Sequence, residues 1–500
     1  MNIRLITYML GQVIRATGAV MVIPVCCSIW YREDTWYALV FPMLFMLLFG
    51  TVLTHYRPAD GEGMQARDGL VAVGLAWIVL SLLGMLPFIL SGDLIHPADA
   101  FFETVSGFTT TGATVMGEAV GVNPADLDRG IAMWRSLTHW IGGMGVLVFV
   151  MAVMPKQDFK STRLMHAMRA EVPGPVATKV VPTLRHSARI MYGIYIAMTV
   201  LMVVFLLAGG MSLYDAVLHS LSTAGTGGFS NMNASIGAYD SSYIHWVITI
   251  FMLLFSINFN LYYLIITGHV LQALRSEEMR WFLIVVGGVT AIITLNISSL
   301  YDHVGIALRD AAFQVAAFIS TTGFNTANYD HWPALSQGLL VLLMFIGGCA
   351  GSTAGGIKVS RLVILIRSAG REVRNILFPR EVRCVRAEER AVDEDTVRGA
   401  NAYIVLYLLF FVAGVLLLLG DGLDLVTSFT AVTSCINNVG PGFGTLIGAT
   451  AGSSFGVFSP WVKILLSFIM LLGRLELFPI LMLFYPASRR GKMKKLIKNS

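Results

Sequence analysis

Long apolar stretches alternate with short polar segments along most of the chain. A helix that crosses the hydrocarbon core of a bilayer, about 30 Å thick, needs about 20 mainly apolar residues. Ten stretches predict such helices, and an even number of crossings places both termini on the same side of the membrane. They cover residues 10–30, 36–55, 68–91, 132–154, 187–209, 242–271, 280–298, 335–367, 398–420 and 460–485.

A shorter pattern occurs four times between these stretches. Each copy begins with an Asp, continues as an amphipathic segment too short to cross the membrane, and ends in a small polar run with a glycine. The leading residues are Asp99, Asp215, Asp310 and Asp424, and the aligned glycines are Gly112, Gly228, Gly323 and Gly440. In the first three copies the glycine follows the Asp by 13 residues, which selects Gly228 over Gly227, and the fourth copy is three residues longer.

Each copy lies between two predicted spans, which gives an internal repeat of helix, half-helix, glycine loop and helix. Four such repeats predict an all-α polytopic membrane protein with a central pore, to which two extra N-terminal transmembrane helices are appended. We predict the appended unit over residues 1–62. The four pore repeats are predicted over 63–160, 161–275, 276–380 and 381–500, the third with a broken second helix and the last with a basic C-terminal tail.

Composition and charge support a membrane protein and orient it. The chain is 56% hydrophobic and 13% charged, which excludes an ordinary soluble enzyme. Lys and Arg cluster in residues 156–189, 361–398 and 489–498, so the positive-inside rule places these segments and both termini in the cytoplasm and opens the glycine loops to the outside. No nucleotide-binding loop, nucleophile constellation or metal-ligand spacing stands out. The sequence therefore predicts neither an enzyme, nor an organic cofactor, nor a nucleic-acid partner.

The glycine loops have the composition expected of a cation filter. Non-helical backbone at membrane depth is tolerated only where protein buries it or a water-filled cavity borders it. Inward-pointing carbonyl oxygens can replace the hydration shell of an ion, and glycine permits the backbone angles that this requires. The alternative is close helix packing, in which small residues also recur, but four copies at matching positions favour a cation pore. The candidate filter residues are Thr110, Thr111, Gly112, Thr226, Gly227, Gly228, Thr321, Thr322, Gly323, Asn438, Val439 and Gly440.

Two features inside predicted helices are candidates for a gate. Residues 345–358 contain five glycines, which disfavour a continuous helix, so this segment is either a gate below the filter or a packing kink. Arg474 lies within the last apolar span, where an ionisable group is costly. It either forms a positive barrier to cations or pairs with the carbonyl groups of the broken helix. The candidate gate residues are Gly347, Gly348, Gly351, Ser352, Thr353, Gly355, Gly356 and Arg474.

Six segments carry a resemblance to a known family: residues 134–145, 226–230, 320–325, 347–353, 437–442 and 473–476. The chain resembles the Trk/Ktr/HKT superfamily of potassium transporters, and within it the TrkH-type subunits, over its whole length. The resemblance implies that loop carbonyl groups around the four aligned glycines coordinate K⁺ as the transported substrate, and that residues 347–356 form an intramembrane gating loop. It also implies a homodimer in the bacterial cytoplasmic membrane, with a ring of cytosolic nucleotide-binding regulatory subunits of the TrkA type docked on its basic face.

The resemblance also bears on ion selectivity and mechanism. In plant members of the superfamily a serine at the first filter glycine is associated with sodium transport, so Gly112 favours potassium. Gly227 stands where the first and third glycine loops have Thr111 and Thr322, which is expected to loosen that quarter of the filter. We predict a gated K⁺-uptake pore. A proton- or sodium-coupled symporter with the same filter remains an alternative, as does a non-conducting membrane sensor, against which the intact glycines argue.

His139, beside Trp140, is interpreted as a packed or interfacial histidine. The basic segment 489–495 is expected to contact anionic lipid headgroups or a cytosolic partner.

Overall fold

The computed structural model describes residues 2–56, 66–145, 184–380, 383–388, 390–449 and 453–484. The helices described there are α1 (Ile3–Val20), α2 (Val22–Trp30), α3 (Trp36–Leu53), α4 (Ala66–Gly84), α5 (Leu86–Ser91), α6 (Pro97–Phe108), α7 (Arg129–Gly143), α8 (Leu184–Ala208), α9 (Leu213–Ala224), α10 (Ser242–Phe255), α11 (Phe259–Ile266), α12 (Val270–Leu274), α13 (Glu277–Ile297), α14 (Val304–Ile319), α15 (Ala334–Ile346), α16 (Val359–Leu377), α17 (Glu394–Gly420), α18 (Leu425–Asn437), α19 (Pro460–Arg474) and α20 (Phe478–Phe484). Short 3₁₀ helices cover Pro124–Asp126, Ser235–Ala238, Ser298–Leu300, Tyr329–His331 and Phe455–Val457. The strands β1 (Arg386–Ala387) and β2 (Arg390–Ala391) form an antiparallel hairpin.

The predicted all-α membrane fold is confirmed. Within the described residues, six helical stretches are long and apolar enough to cross a membrane, or up to eight if each of two sharply bent helix pairs counts as one span. The number of ten crossings and the cytoplasmic position of both termini stay predictions. The basic segments 156–183 and 489–498 lie outside the described residues, and so does the segment 489–495 that is expected to contact lipid.

Two of the predicted helices, at 242–271 and 460–485, are sharply bent pairs of shorter helices and not continuous helices. The helices α10 and α11 meet at 93°, because backbone groups at the break bond to another segment of the chain: Cys349 N–H donates to the Ser256 carbonyl at 2.9 Å, and Phe259 N–H donates to the Gly351 carbonyl at 3.1 Å. The helices α19 and α20 meet at 119° across Glu476 and Leu477, which both have positive φ. Apolar periodicity does not report such breaks.

The four half-helices form a closed ring with the second helices of the repeats. We call α6, α9, α14 and α18 half-helices 1 to 4. Half-helix 2 packs against α7 of repeat 1, half-helix 3 against α10 of repeat 2, and half-helix 4 against α15 of repeat 3. Half-helix 1 packs against α19 of repeat 4. Each repeat therefore contacts the next, and the last contacts the first, as a pore at the centre of four repeats requires.

The appended N-terminal helices pack through small residues. A Cβ on Gly50 of α3 would lie 2.7 Å from the backbone nitrogen of Arg15, and one on Gly11 of α1 would lie 2.7 Å from Cβ of Leu53. Such close approach is typical of helix pairs in membranes. The boundaries proposed for this unit and for the four repeats stay predictions.

Candidate functional site

The four glycine loops are residues 109–112 (loop 1), 225–228 (loop 2), 320–323 (loop 3) and 437–440 (loop 4), and they share one backbone shape. The aligned glycines have φ of 77°, 79°, 76° and 107° at Gly112, Gly228, Gly323 and Gly440. Two residues earlier, φ is 54°, 55°, 55° and 55° at Thr110, Thr226, Thr321 and Asn438. A left-handed conformation is strained for threonine, so its recurrence at one position indicates a loop held by its surroundings. Gly227 is not among the residues with positive φ, which agrees with the choice of Gly228 as the aligned glycine.

The four loops touch one another in a closed circuit. A Cβ built on any aligned glycine would collide with a backbone carbonyl oxygen of the neighbouring loop. The carbonyl oxygens are those of Gly227, Thr322, Val439 and Thr111 for Gly112, Gly228, Gly323 and Gly440, in that order. The contacts run from loop 1 through loops 2 and 3 to loop 4 and back to loop 1. Glycine is required at these positions because its missing side chain lets the neighbouring backbone approach.

The side chains of the predicted filter residues are buried, and they stabilise the loops unequally. In loops 1 and 3, hydroxyl groups three residues and one residue before the glycine share a hydrogen bond of 2.7 Å, namely Thr109 with Thr111 and Ser320 with Thr322. The buried side chains are those of Thr110, Thr111, Thr226, Thr321, Thr322, Asn438 and Val439. Loop 2 has glycine at both of the corresponding positions, 225 and 227, and so lacks this bond.

Loop 4 differs from the other three loops. The Ser434 hydroxyl donates to the Gly440 carbonyl at 2.7 Å, so this carbonyl already has a protein partner. Asn438 donates through Nδ2 to the Thr111 hydroxyl at 2.9 Å and to the Met470 carbonyl at 3.0 Å, which ties loop 4 to loop 1 and to α19. The ring therefore has approximate fourfold shape without fourfold chemistry.

A cavity of about 300 Å³ opens on one side of the ring. All four aligned glycines line it, together with residues that follow them, such as Ser230 and Asn325. A space of this size at the mouth of the ring can hold a cation with part of its hydration shell.

The predicted break in the third repeat is present and forms a loop on the opposite side of the ring. The helix α15 ends at Ile346 and α16 begins at Val359, and we call residues 347–358 the intramembrane loop. Gly355 N–H donates to the Thr321 hydroxyl at 2.7 Å, and Gly356 N–H donates to the Asn437 carbonyl at 3.1 Å. Because Thr321 and Asn437 precede the aligned glycines, the intramembrane loop lies on the side of loops 3 and 4 that faces away from the cavity.

Glycines let the intramembrane loop fold tightly on itself. Gly347, Gly351 and Gly356 have φ of 71°, 72° and 78°. A Cβ on Gly356 would lie 2.6 Å from Cα of Gly347, so the two ends of the loop cross at this pair. The remaining predicted gate residues lie in the same loop: a Cβ on Gly348 would lie 3.2 Å from the Ser352 hydroxyl. The Thr353 hydroxyl donates to the Phe255 carbonyl at 3.1 Å.

Arg474 joins three repeats at the intramembrane loop. One guanidinium nitrogen donates to the Thr353 carbonyl at 2.8 Å, and the other donates to the carbonyls of Gly142 and Gly143, each at 2.7 Å. The predicted pairing of Arg474 with carbonyl groups of the broken helix is therefore present. The same position puts a fixed positive charge next to the loop, so the barrier interpretation stays a prediction. Glu476 accepts a hydrogen bond from Arg361 at 2.6 Å.

Sequence reasoning missed two buried ion pairs that surround the ring. The Arg135 guanidinium donates to Glu103 at 2.7 Å and to the Ser230 carbonyl at 2.9 Å, and Lys463 donates to Asp99 at 2.5 Å. All four charged side chains are less than a tenth exposed. Charged residues inside predicted apolar spans were the signal, since Arg135 and Lys463 both lie within such spans.

Glu278 was missed for a different reason. Its carboxylate accepts hydrogen bonds from the backbone N–H groups of Ala350 at 2.7 Å and Ser360 at 3.0 Å, and so joins the intramembrane loop to the first turn of α16. It stands near the start of a predicted helix, where a carboxylate is ordinary, so nothing in the sequence distinguished it.

The comparisons with known proteins agree with this architecture. A sequence model described as "TrkH: Cation transport protein" matches residues 38–494. The chain belongs to the TrkH family. It is thus a transport protein and not an enzyme. It is 34% identical over 491 residues to the "Trk system potassium uptake protein TrkH" of Salmonella typhimurium, a match that covers 97% of this chain and 99% of that one. It is 33% identical over 488 residues to the "Trk system potassium uptake protein TrkG" of Escherichia coli, with 97% and 98% covered.

A solved member of the TrkH family has the same fold. The crystal structure of the potassium transporter TrkH from Vibrio parahaemolyticus superposes with a TM-score of 0.84 at 30% sequence identity, and the match covers 97% of this chain and 99% of that one. The polytopic helical fold described above is therefore that of a known membrane transporter.

Proposed function

We propose that this chain is a gated, cation-selective pore for potassium uptake across the bacterial cytoplasmic membrane. The observation that carries the proposal is the closed circuit of four glycine loops, in which each aligned glycine faces a backbone carbonyl oxygen of its neighbour. The names of the TrkH-family relatives support potassium as the transported ion.

The filter acts by replacing water. Carbonyl oxygens around Gly112, Gly228, Gly323 and Gly440 take the place of the hydration shell of K⁺, while the C-terminal ends of the half-helices add a partial negative charge. No acidic side chain is needed at the ring itself. The four loops differ chemically, so they do not coordinate the ion equally. Loop 4 contributes least to coordination, since the Gly440 carbonyl already accepts a hydrogen bond from the Ser434 hydroxyl.

The intramembrane loop and Arg474 form the gate in this proposal. The intramembrane loop lies directly against loops 3 and 4. Gly355 donates one hydrogen bond to loop 3, and Gly356 donates one to loop 4. Movement of the loop would open the side of the ring away from the cavity. In the cell the chain would work as a homodimer, with a ring of cytosolic nucleotide-binding subunits on its basic face acting on this gate.

The proposal is tested by ion flux into liposomes that contain the purified chain. We expect the wild type to take up Rb⁺ in preference to Na⁺, without need of a pH or sodium gradient. Gly112→Ser adds a side chain to a residue whose backbone φ is 77°, and its Cβ would collide with the Gly227 carbonyl oxygen. Backbone strain and collision together, about 3 kcal/mol as for the other aligned glycines, are expected to lower Rb⁺ flux about a hundredfold and the Rb⁺/Na⁺ flux ratio with it. Equal wild-type flux of the two ions contradicts the filter, and Rb⁺ flux that requires an imposed proton or sodium gradient identifies a symporter instead.

Arg474→Ala tests the gate. Removal of a charge that raises the barrier by about 1.4 kcal/mol is expected to increase Rb⁺ flux about tenfold in the same liposomes. Arg398→Ala is the matched control, because Arg398 is an arginine whose ion pair with Asp395 is exposed, with side chains 79% and 88% accessible. Its flux should stay at the wild-type value. Reduced flux of Arg474→Ala together with a lower unfolding temperature would show that Arg474 only joins the repeats.

A further inference from the structure

His139 of α7 lies directly behind loop 2. A Cβ on Gly227 would fall on the imidazole ring, against its Nδ1, Cε1 and Cγ atoms. A Cβ on Gly225 would collide with the backbone carbonyl of the same histidine. The His139 side chain is fully buried. The imidazole therefore fills the space immediately behind loop 2.

This space is filled in another way in loops 1 and 3. There, a hydrogen-bonded pair of hydroxyl groups stands behind the loop, at the positions that Gly225 and Gly227 occupy in loop 2. Loop 2 brings no side chain of its own to either position, and a ring from repeat 1 takes their place. The expectation that Gly227 loosens this quarter of the filter does not take the His139 imidazole into account.

The imidazole is held by stacking and not by hydrogen bonds. It stacks on Phe229, the residue after the aligned glycine of loop 2, with ring centroids 4.0 Å apart and planes 19° from parallel. The Arg135 guanidinium lies 3.6 Å from the centroid of the same phenylalanine ring. Neither imidazole nitrogen has a hydrogen-bond partner among the described residues. An unpaired buried polar group costs about 1–3 kcal/mol. The shape of the imidazole therefore explains its position better than its polarity does.

We propose that His139 is a positioning residue that determines ion specificity by holding loop 2 at its place in the ring. This inference rests on the proposed potassium filter. Without the imidazole, loop 2 would border an empty space and its carbonyl groups could move outward, so the ring would no longer hold the geometry that distinguishes K⁺ from Na⁺. His139 does not itself contact the ion, because the backbone of loop 2 lies between them.

Three variants of the full chain in liposomes test the proposal through the Rb⁺/Na⁺ flux ratio. His139→Ala is expected to lower the ratio about tenfold, within the range of coupling between contacting residues. Gly227→Thr is expected to abolish Rb⁺ flux, because its side chain collides with the imidazole. The double variant His139→Ala/Gly227→Thr is expected to restore the ratio to within about threefold of the wild type, since loops 1 and 3 accommodate threonine at this position.

The outcomes separate this inference from the proposed function. A wild type that does not prefer Rb⁺ overturns the filter itself. A selective wild type whose ratio is unchanged in His139→Ala overturns only the role of His139. A double variant whose flux ratio is no higher than that of the worse single variant also overturns it. In that case, filling the space behind loop 2 with a threonine does not restore selectivity. Rescue of the flux ratio, as opposed to rescue of protein yield alone, is the result that supports a role in specificity.

Discussion

Gly228→Ala is expected to abolish Rb⁺ uptake while the protein still reaches the membrane. Gly228 has φ of 79°, and the added Cβ would strike the Thr322 carbonyl oxygen, a backbone atom that cannot rotate away. The conformational strain is about 1–2 kcal/mol, and the collision adds to it at the point where loops 2 and 3 meet. A loss of at least about a hundredfold in flux would follow from a total of about 3 kcal/mol in the permeation barrier. The measurement is Rb⁺ uptake by cells that lack other potassium uptake systems, normalised to the amount of protein in the membrane.

Gly121→Ala is the matched control. Gly121 has φ of 74°, similar to Gly228, but a Cβ there meets no atom within 4 Å. This variant carries the same backbone strain in an exposed turn away from the ring, so its uptake should remain near that of the wild type. Equal losses in both variants would mean that strain alone matters and that the contact between neighbouring loops does not.

Arg135→Met is expected to destabilise the protein by about 3–5 kcal/mol, because it leaves the buried Glu103 carboxylate without its cation. The Glu103 side chain is 0% exposed, and among the described residues its other hydrogen-bond donors are neutral groups, the Thr114 hydroxyl and the Val115 N–H. The substitution also removes the hydrogen bond from Arg135 to the Ser230 carbonyl, one of the contacts between repeats 1 and 2. Thermal unfolding of the detergent-purified protein, followed by tryptophan fluorescence, measures the effect.

The double variant Glu103→Gln/Arg135→Met separates the charge from the packing. A glutamine keeps an acceptor for Val115 N–H but no longer buries a negative charge, so this variant should recover more than half of the lost stability. Recovery would assign the damage to the uncompensated carboxylate. If the double variant is as unstable as Arg135→Met, the contacts of the guanidinium with Ser230 and Phe229 account for the loss instead.

The architecture could be predicted because it depends on two features that can be read directly from a sequence, apolar runs and a repeated spacing. Runs of apolar residues gave the helices, and the spacing from Asp99 to Gly112 and its two equal copies gave the repeat. The positive φ of Gly112 agrees with the reason for choosing glycine there. The five glycines of the third repeat likewise predicted a break in its second helix, and this break begins at Gly347.

The structure adds what depends on contacts between distant residues. The break at Ser256 contains no proline or glycine, and it arises because backbone groups there bond to the intramembrane loop. The buried partners of Arg135 and Lys463 lie 32 and 364 residues away in the chain. The imidazole behind Gly227 comes from another repeat. A local pattern can mark Arg135 and Lys463 as unusual, but it does not identify partners that meet only in the folded chain.

The closure of the ring has a consequence for biosynthesis. Half-helix 1 packs against α19, and Asp99 on the one pairs with Lys463 on the other, near the opposite end of the chain. Repeats 2, 3 and 4 each find a neighbour that has already been made, but repeat 1 must wait until almost the whole polypeptide has left the ribosome. Until then the Asp99 carboxylate lacks the Lys463 ammonium group as its partner. Insertion of the final helices is therefore the step that completes the pore, and a chain cut short before α19 would contain four glycine loops without a closed ring.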